Sequence, residues 1–216
     1  MNISRMLTLA LFGFLLSACG SSKNIKLVGV NSLDRVFKKG RSLDRTITKA
    51  ERSMRKARND FNTAMGLSQK STYRKGLSQL KSRGKTKYKV IMSGSLPTIS
   101  TTDAVPSKIS NGIKALNGTV KGNINSLKLT LTIPKKSKAL VNEVKTFQNR
   151  FQKEIANNPM KALTSILKIK TISNNIKIIT TLPKRSVKLV QRLEKQLSAI
   201  LGNFGFKWKD MSKLIR

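Results

Sequence analysis

The chain of 216 residues has no histidine and a single cysteine. Without an imidazole it lacks the usual general base, the commonest metal ligand and the physiological pH switch. One cysteine excludes an intramolecular disulfide and a thiolate zinc site. Aromatic residues are only 5% of the chain, and 13 Gly with 5 Pro exclude collagen-like and low-complexity classes. Acid is the scarcest commodity: 9 Asp and Glu stand against 44 Lys and Arg, for a formal charge of +35. Hydrophobic residues at 38% suffice for one domain or two small ones, without a rich core.

Few acids leave little for carboxylate catalysis. Glu51 and Asp60 share one helical stretch but point to different faces, and Asp103 stands alone in a basic region. Ser and Lys are too common for a Ser-x-x-Lys match to carry weight. Neither a phosphate-binding glycine loop nor a metal-ligand cluster occurs. The expectation is a protein that is not an enzyme and uses no cofactor and no metal.

Long apolar runs are also missing, apart from Met6 to Leu16 behind Arg5. That run is too short to cross a hydrocarbon core of about 30 Å. A basic start, a short apolar region and small residues describe a secretory signal. It ends Leu16-Ser17-Ala18-Cys19, which resembles the lipobox of bacterial lipoproteins. The resemblance covers residues 1–20 and implies cleavage before Cys19, with Cys19 carrying diacylglycerol and an amide-linked fatty acid such as palmitate. Two or three chains make a stable anchor where one would not. Gly20 in place of Asp implies transfer to the outer membrane, with the side it faces open. In a single-membrane bacterium the implied place is the outer surface of the cell membrane.

The expected organisation is a signal peptide at 1–18, a lipidated Cys and tether at 19–32, a helical region at 33–69 and a basic α+β domain at 70–216. Leu43, Ile47, Ala50, Met54, Ala57, Phe61 and Ala64 alternate at spacings of four and three, one apolar stripe of a long amphipathic helix. Ser42 is the expected N-cap and Gly66 the stop. The stripe reads first as a face on its own core. Its alternative use is docking to an envelope protein complex through Leu43, Ile47, Met54 and Phe61.

An internal repeat follows. Leu127 to Ser137 matches Ile176 to Ser186, and the likeness extends over about 119–156 and 168–203. Both copies run through Pro, two basic residues and Ser. Alternating apolar and polar residues predict strands at Lys87–Met92, Leu127–Ile133, Lys168–Ile172 and Ile176–Leu182, with Ser173-Asn174-Asn175 as a turn. A fainter third copy spans Tyr88 to Pro97, before a helix from about Ala104 to Leu116. The predicted fold is α+β: an antiparallel sheet built from repeated hairpin-helix units, preceded by the long helix.

The basic excess runs along the whole chain. From Phe61 to Asn142 there are 15 basic residues and one acid, Asp103. Codon bias toward Lys would raise Glu as well. Strand alternation places Lys87 with Lys89, and Lys168 with Lys170, on one sheet face. Lys135, Lys136 and Ser137, and again Lys184, Arg185 and Ser186, are expected at helix starts that offer free N–H groups to an anion. Scarce aromatics and the export signal argue against nucleic acid as the partner. The expected partners are the membrane, through the anchor, and an anionic lipid, lipopolysaccharide, cell-wall polymer or other polyanion. A surface adhesin for glycosaminoglycan or DNA is the lesser alternative.

Overall fold

A computed structural model describes residues 25–82, 87–94, 96–157 and 159–208, with the side chains of 151–152 and 154–167 outside that description. Helices dominate: α1 (Asn31–Ala64), α2 (Tyr73–Ser82), α3 (Ser107–Thr130), α4 (Ile133–Asn157) and α5 (Pro159–Gly202). Between α2 and α3 lies one antiparallel hairpin, β1 (Tyr88–Ser93) with β2 (Leu96–Thr101). The class is broadly α+β, with the sheet reduced to two strands. None of the described helices is long and apolar enough to cross a membrane.

The chain packs as two compact units, interleaved along the sequence. The described part of the first is 25–45 with 133–185; that of the second is 46–132 with 186–208. In the first unit Ile25, Leu33, Phe37 and Val144 are buried with Ile176, Ile179 and Leu182. Gly40 makes room: a Cβ there would lie 2.8 Å from Ile179 Cγ1 and 3.1 Å from Ile25 Cδ1. In the second unit Ile47, Phe61, Leu80, Leu116, Val120, Leu193 and Leu197 are buried.

The long helix α1 begins eleven residues before the expected cap at Ser42, which lies inside it. Its start is organised by Asp34, whose carboxylate accepts the amides of Val28 (2.7 Å) and Gly29 (2.9 Å). That acid also suits the positive helix end. The expected stop is found. Gly66 adopts φ +66°, its amide reaches Thr63 O at 2.9 Å, and Leu67 N reaches Asn62 O at 2.8 Å. This is a Schellman motif, which disposes of two orphan carbonyls. Gly205 (φ +78°) repeats it after α5, with Phe206 N on Leu201 O at 3.1 Å.

Three of the four expected strands are helical. Leu127–Ile133 covers the end of α3 and the start of α4; Lys168–Ile172 and Ile176–Leu182 lie inside α5, as does the expected turn at Ser173 to Asn175. Only Lys87–Met92 coincides with a strand, β1, and the weak third copy is the one that forms a hairpin. The repeated hairpin-helix sheet is therefore replaced by repeated helical segments. The reason lies in what is buried. Leu127, Thr130 and Ile133 in the first copy, and Ile176, Ile179 and Leu182 in the second, are buried at spacings of three. Leu129, two residues from Leu127, is 63% exposed. A strand would have put those two on one face. Packing overrides the strand preference of Ile and Thr.

The repeat survives this correction. Leu127/Ile176, Thr130/Ile179, Ile133/Leu182, Ser137/Ser186, Leu140/Leu189 and Val144/Leu193 are buried in both copies. The backbone treats the shared proline differently. Pro134 sits in the first turn of α4, where its missing N–H costs little, while Pro183 lies deep inside α5.

The hairpin is held to α3 by Asn117. Its side chain accepts from Ile99 N (2.8 Å) and donates to Ile99 O (2.9 Å), standing in for a third strand. Helix α3 begins at Ser107, three residues after the expected Ala104, and runs well past Leu116 to Thr130. Tyr88 packs edge-on against Phe204, which follows α5.

Candidate polyanion-binding surface

Of the two Pro-basic-basic-Ser sites, the first lies at a helix start and the second does not. At the first, Lys135 and Lys136 are exposed in the opening turn of α4, but Ser137 is fully buried and its hydroxyl donates to Pro134 O at 3.0 Å. At the second there is no helix start. Lys184 is exposed, Ser186 is fully buried, and Arg185 donates to Asp44 Oδ1 at 2.6 Å. The shared Ser is a core residue, not an anion ligand.

Lys87 and Lys89 are both exposed at β1, and the Lys87 amide donates to Asp103. Lys168 and Lys170 are exposed on α5, where a separation of two turns them toward opposite sides of the helix. They share no sheet face. Of the docking stripe, Ile47 and Phe61 are fully buried in their own unit, and Leu43 and Met54 are half-buried. The stripe is core. Cys19 lies outside the described residues.

The structure instead exposes cations in rows. On α1, Arg35, Lys38, Ser42, Arg45, Lys49, Arg52 and Lys56 are all exposed and fall at alternating spacings of three and four. Such spacing keeps side chains on one helical face. Arg35, Lys38 and Arg45 belong to the first unit; Lys49, Arg52 and Lys56 belong to the second. None of these six makes a hydrogen bond or ion pair among the described residues. On α3, within the second unit, the exposed row is Asn111, Lys114, Gly118, Lys121, Asn125, Lys128. On α4, within the first, it is Lys135, Lys138, Asn142, Lys145, Asn149. On α5 the row is Lys177, Thr181 and Lys184 in the first unit, and Lys188, Gln191 and Lys195 in the second.

What separates the cations decides the chemistry. Exposed helix faces ordinarily set Glu or Asp three or four residues from Lys, because such pairs stabilise by about 0.2–0.5 kcal/mol and like pairs cost as much. Here every spacer is Ser, Asn, Gly, Thr or Gln. Four of the acids are engaged elsewhere. Asp34 caps α1, Asp44 holds Arg185, Glu143 meets Lys39 at 3.0 Å, and Asp103 accepts the Lys87 amide. Like-charged neighbours along these rows repel, and a linear polyanion would relieve that repulsion.

Sequence reasoning passed over these ridges because it followed the apolar stripe. The signal was present: Arg45, Lys49, Arg52 and Lys56 lie two residues out of phase with Leu43, Ile47, Ala50 and Met54, so they occupy the opposite face. Apart from this surface, Tyr73 is the titratable group whose environment changes most. It stacks on Phe61 with ring centres 5.7 Å apart. Burial pushes its hydroxyl up to about 12, against a smaller opposing effect of Thr119.

No protein-family model, curated protein or solved structure matches this chain.

Proposed function

We propose that this chain is a non-enzymatic, lipid-anchored protein of the bacterial cell envelope that binds anionic envelope components. The ligand class is an anionic lipid, lipopolysaccharide or a cell-wall polymer. The observation that carries this reading is the set of exposed cation rows with uncharged spacers. An ordinary soluble surface intersperses both signs. The structural duties of Asp34, Asp44, Asp103 and Glu143 support a non-catalytic role. Anchoring rests on the lipobox at Leu16 to Cys19.

Binding comes from the ridges, of which Lys49, Arg52 and Lys56 on α1 contain an arginine suited to bidentate phosphate contact. The test titrates the protein with lipopolysaccharide micelles and with duplex DNA, each at low and at physiological salt. A shaped envelope-ligand surface retains lipopolysaccharide at physiological salt while DNA binding fades. Replacing Lys49, Arg52 and Lys56 together by Gln then lowers lipopolysaccharide affinity at least tenfold without changing the helical signal. Equal loss of both ligands with salt leaves bulk charge alone and rejects the reading.

A further inference from the structure

We infer that residues 25–29 are a mounting strap that holds the first unit against the headgroup layer of its own bilayer, with Leu27 entering the interface. The inference rests on the lipid-anchor reading of Cys19.

The strap is fastened at every residue but one. Ile25 is 2% exposed and packs beside Gly40 and Ile179. Its carbonyl accepts from Arg41 Nε at 2.8 Å. Asn175, itself buried to 1% exposure, reads the backbone of Lys26 in both directions: Lys26 N donates to Oδ1 at 2.9 Å, and Nδ2 donates to Lys26 O at 2.5 Å. Asp34 takes the next two amides, of Val28 and Gly29. A buried amide that pairs both ways with one backbone residue behaves as a strand neighbour. It fixes the segment in place and direction.

The exception is Leu27. It sits between buried Ile25 and Val28 and is 40% exposed. Lys26 beside it is exposed too. Lys38 and Lys177, each within one helical turn of a residue that clamps the strap (Arg41 and Asn175), are likewise exposed. An apolar side chain among cations on a fixed backbone is the chemistry of an interfacial contact.

Chain length supplies the occupant. Only six residue steps separate Cys19 from Ile25. At no more than about 3.6 Å per step, Ile25 stays within roughly 22 Å and Leu27 within roughly 29 Å of Cys19 along the chain. The tether is too short to let the first unit leave the membrane surface. Juxtamembrane cations are drawn to an anionic leaflet. The surface they meet is the bilayer, not a polymer from solution.

The test uses the full chain, lipidated in a bacterial host, carrying Leu27→Trp with Trp208→Phe so that one indole reports. The protein is reconstituted into phosphatidylethanolamine–phosphatidylglycerol vesicles. Flotation with the vesicles reads the anchor, and quenching of the indole by headgroup-labelled lipid reads the contact. The expected result is flotation, a blue-shifted emission and several-fold quenching. Quenching falls by half or more when a flexible Gly/Ser segment of about 30 residues, spanning roughly 30 Å, is inserted after Ser22. Flotation with an unquenched, water-exposed indole overturns the strap contact and leaves the anchor standing. Unchanged quenching after insertion overturns the role of the short tether. Failure to float overturns the anchor reading and this inference with it.

Discussion

Gly76 lies against Phe61 so closely that a Cβ there would come within 2.5 Å of the ring. The ring is fully buried and stacked on Tyr73, so it has nowhere to retreat. Gly76→Ala is expected to cost about 1–3 kcal/mol by overpacking, and Phe61→Ala about 3–5 kcal/mol by leaving a cavity. Urea unfolding with an unchanged slope checks both. Asn175 is a different kind of core residue. Asn175→Ala strands the Lys26 amide and carbonyl, at about 1–3 kcal/mol, read as lost hydrogen-exchange protection at Lys26. Tyr73 adds a pH dependence. The folded state holds its phenolic proton more tightly than the unfolded state, so its contribution is whole below about pH 10 and is lost as the pH rises toward about 12. The stability gap between wild type and Tyr73→Phe is therefore flat at neutral pH and moves against wild type across that window. Residue roles were legible where one residue type meets one backbone need. Gly66 as a helix stop is such a case. Asn175 was misread as a turn residue because its duty is set by Lys26, far away in sequence.

At the scale of elements, helices with a clear apolar stripe could be read and those with competing signals could not. The stripe from Leu43 to Ala64 announces α1, although its first turns lack that pattern and were missed. The segment Ile176 to Leu182 satisfies strand and helix patterns at once, since Ile176, Ile178 and Leu182 fall at even spacings while Ile176, Ile179 and Leu182 fall at spacings of three. Only burial distinguishes them, and burial is not local. The shared proline gives a test of the helical assignment. Pro183 interrupts the interior of α5, so Pro183→Ala removes a defect and raises stability by up to about 3 kcal/mol. Pro134→Ala, in the first turn of α4, changes stability by less than about 1 kcal/mol. Thermal midpoints of the two variants measure the asymmetry. Equal effects would mean that the two copies share one conformation at the proline.

For the whole molecule the charge is the governing fact, and it was the most legible one. A net charge of +35 was visible from composition, while its arrangement into ridges required knowing which face of each helix is buried. The ridges repel along their own axes. The thermal midpoint is expected to rise by several degrees between low and physiological salt, opposite to a fold stabilised by surface ion pairs. Short polyphosphate should produce the same rise at far lower concentration, because it binds the folded rows of cations more tightly than the unfolded chain. Calorimetry at matched ionic strength separates the two effects. The expectation of two helix starts at the Pro sites meets only one, at Ile133, because Pro183 lies inside α5.

The two copies of the repeat pass between the compact units in opposite senses. The first leaves the second unit for the first near Ile133; the second returns near Ser186. Neither unit is therefore made from one continuous stretch of chain. The unit that buries Leu33 and Phe37 is completed only by residues Ile133 to Arg185, which are synthesised much later. A nascent chain of this design stays open until synthesis is nearly complete. The export proposed above requires the chain to be threaded through a membrane as an unfolded strand. The interleaving of the repeat delays closure by the order of assembly alone, with no need for a slow folding step.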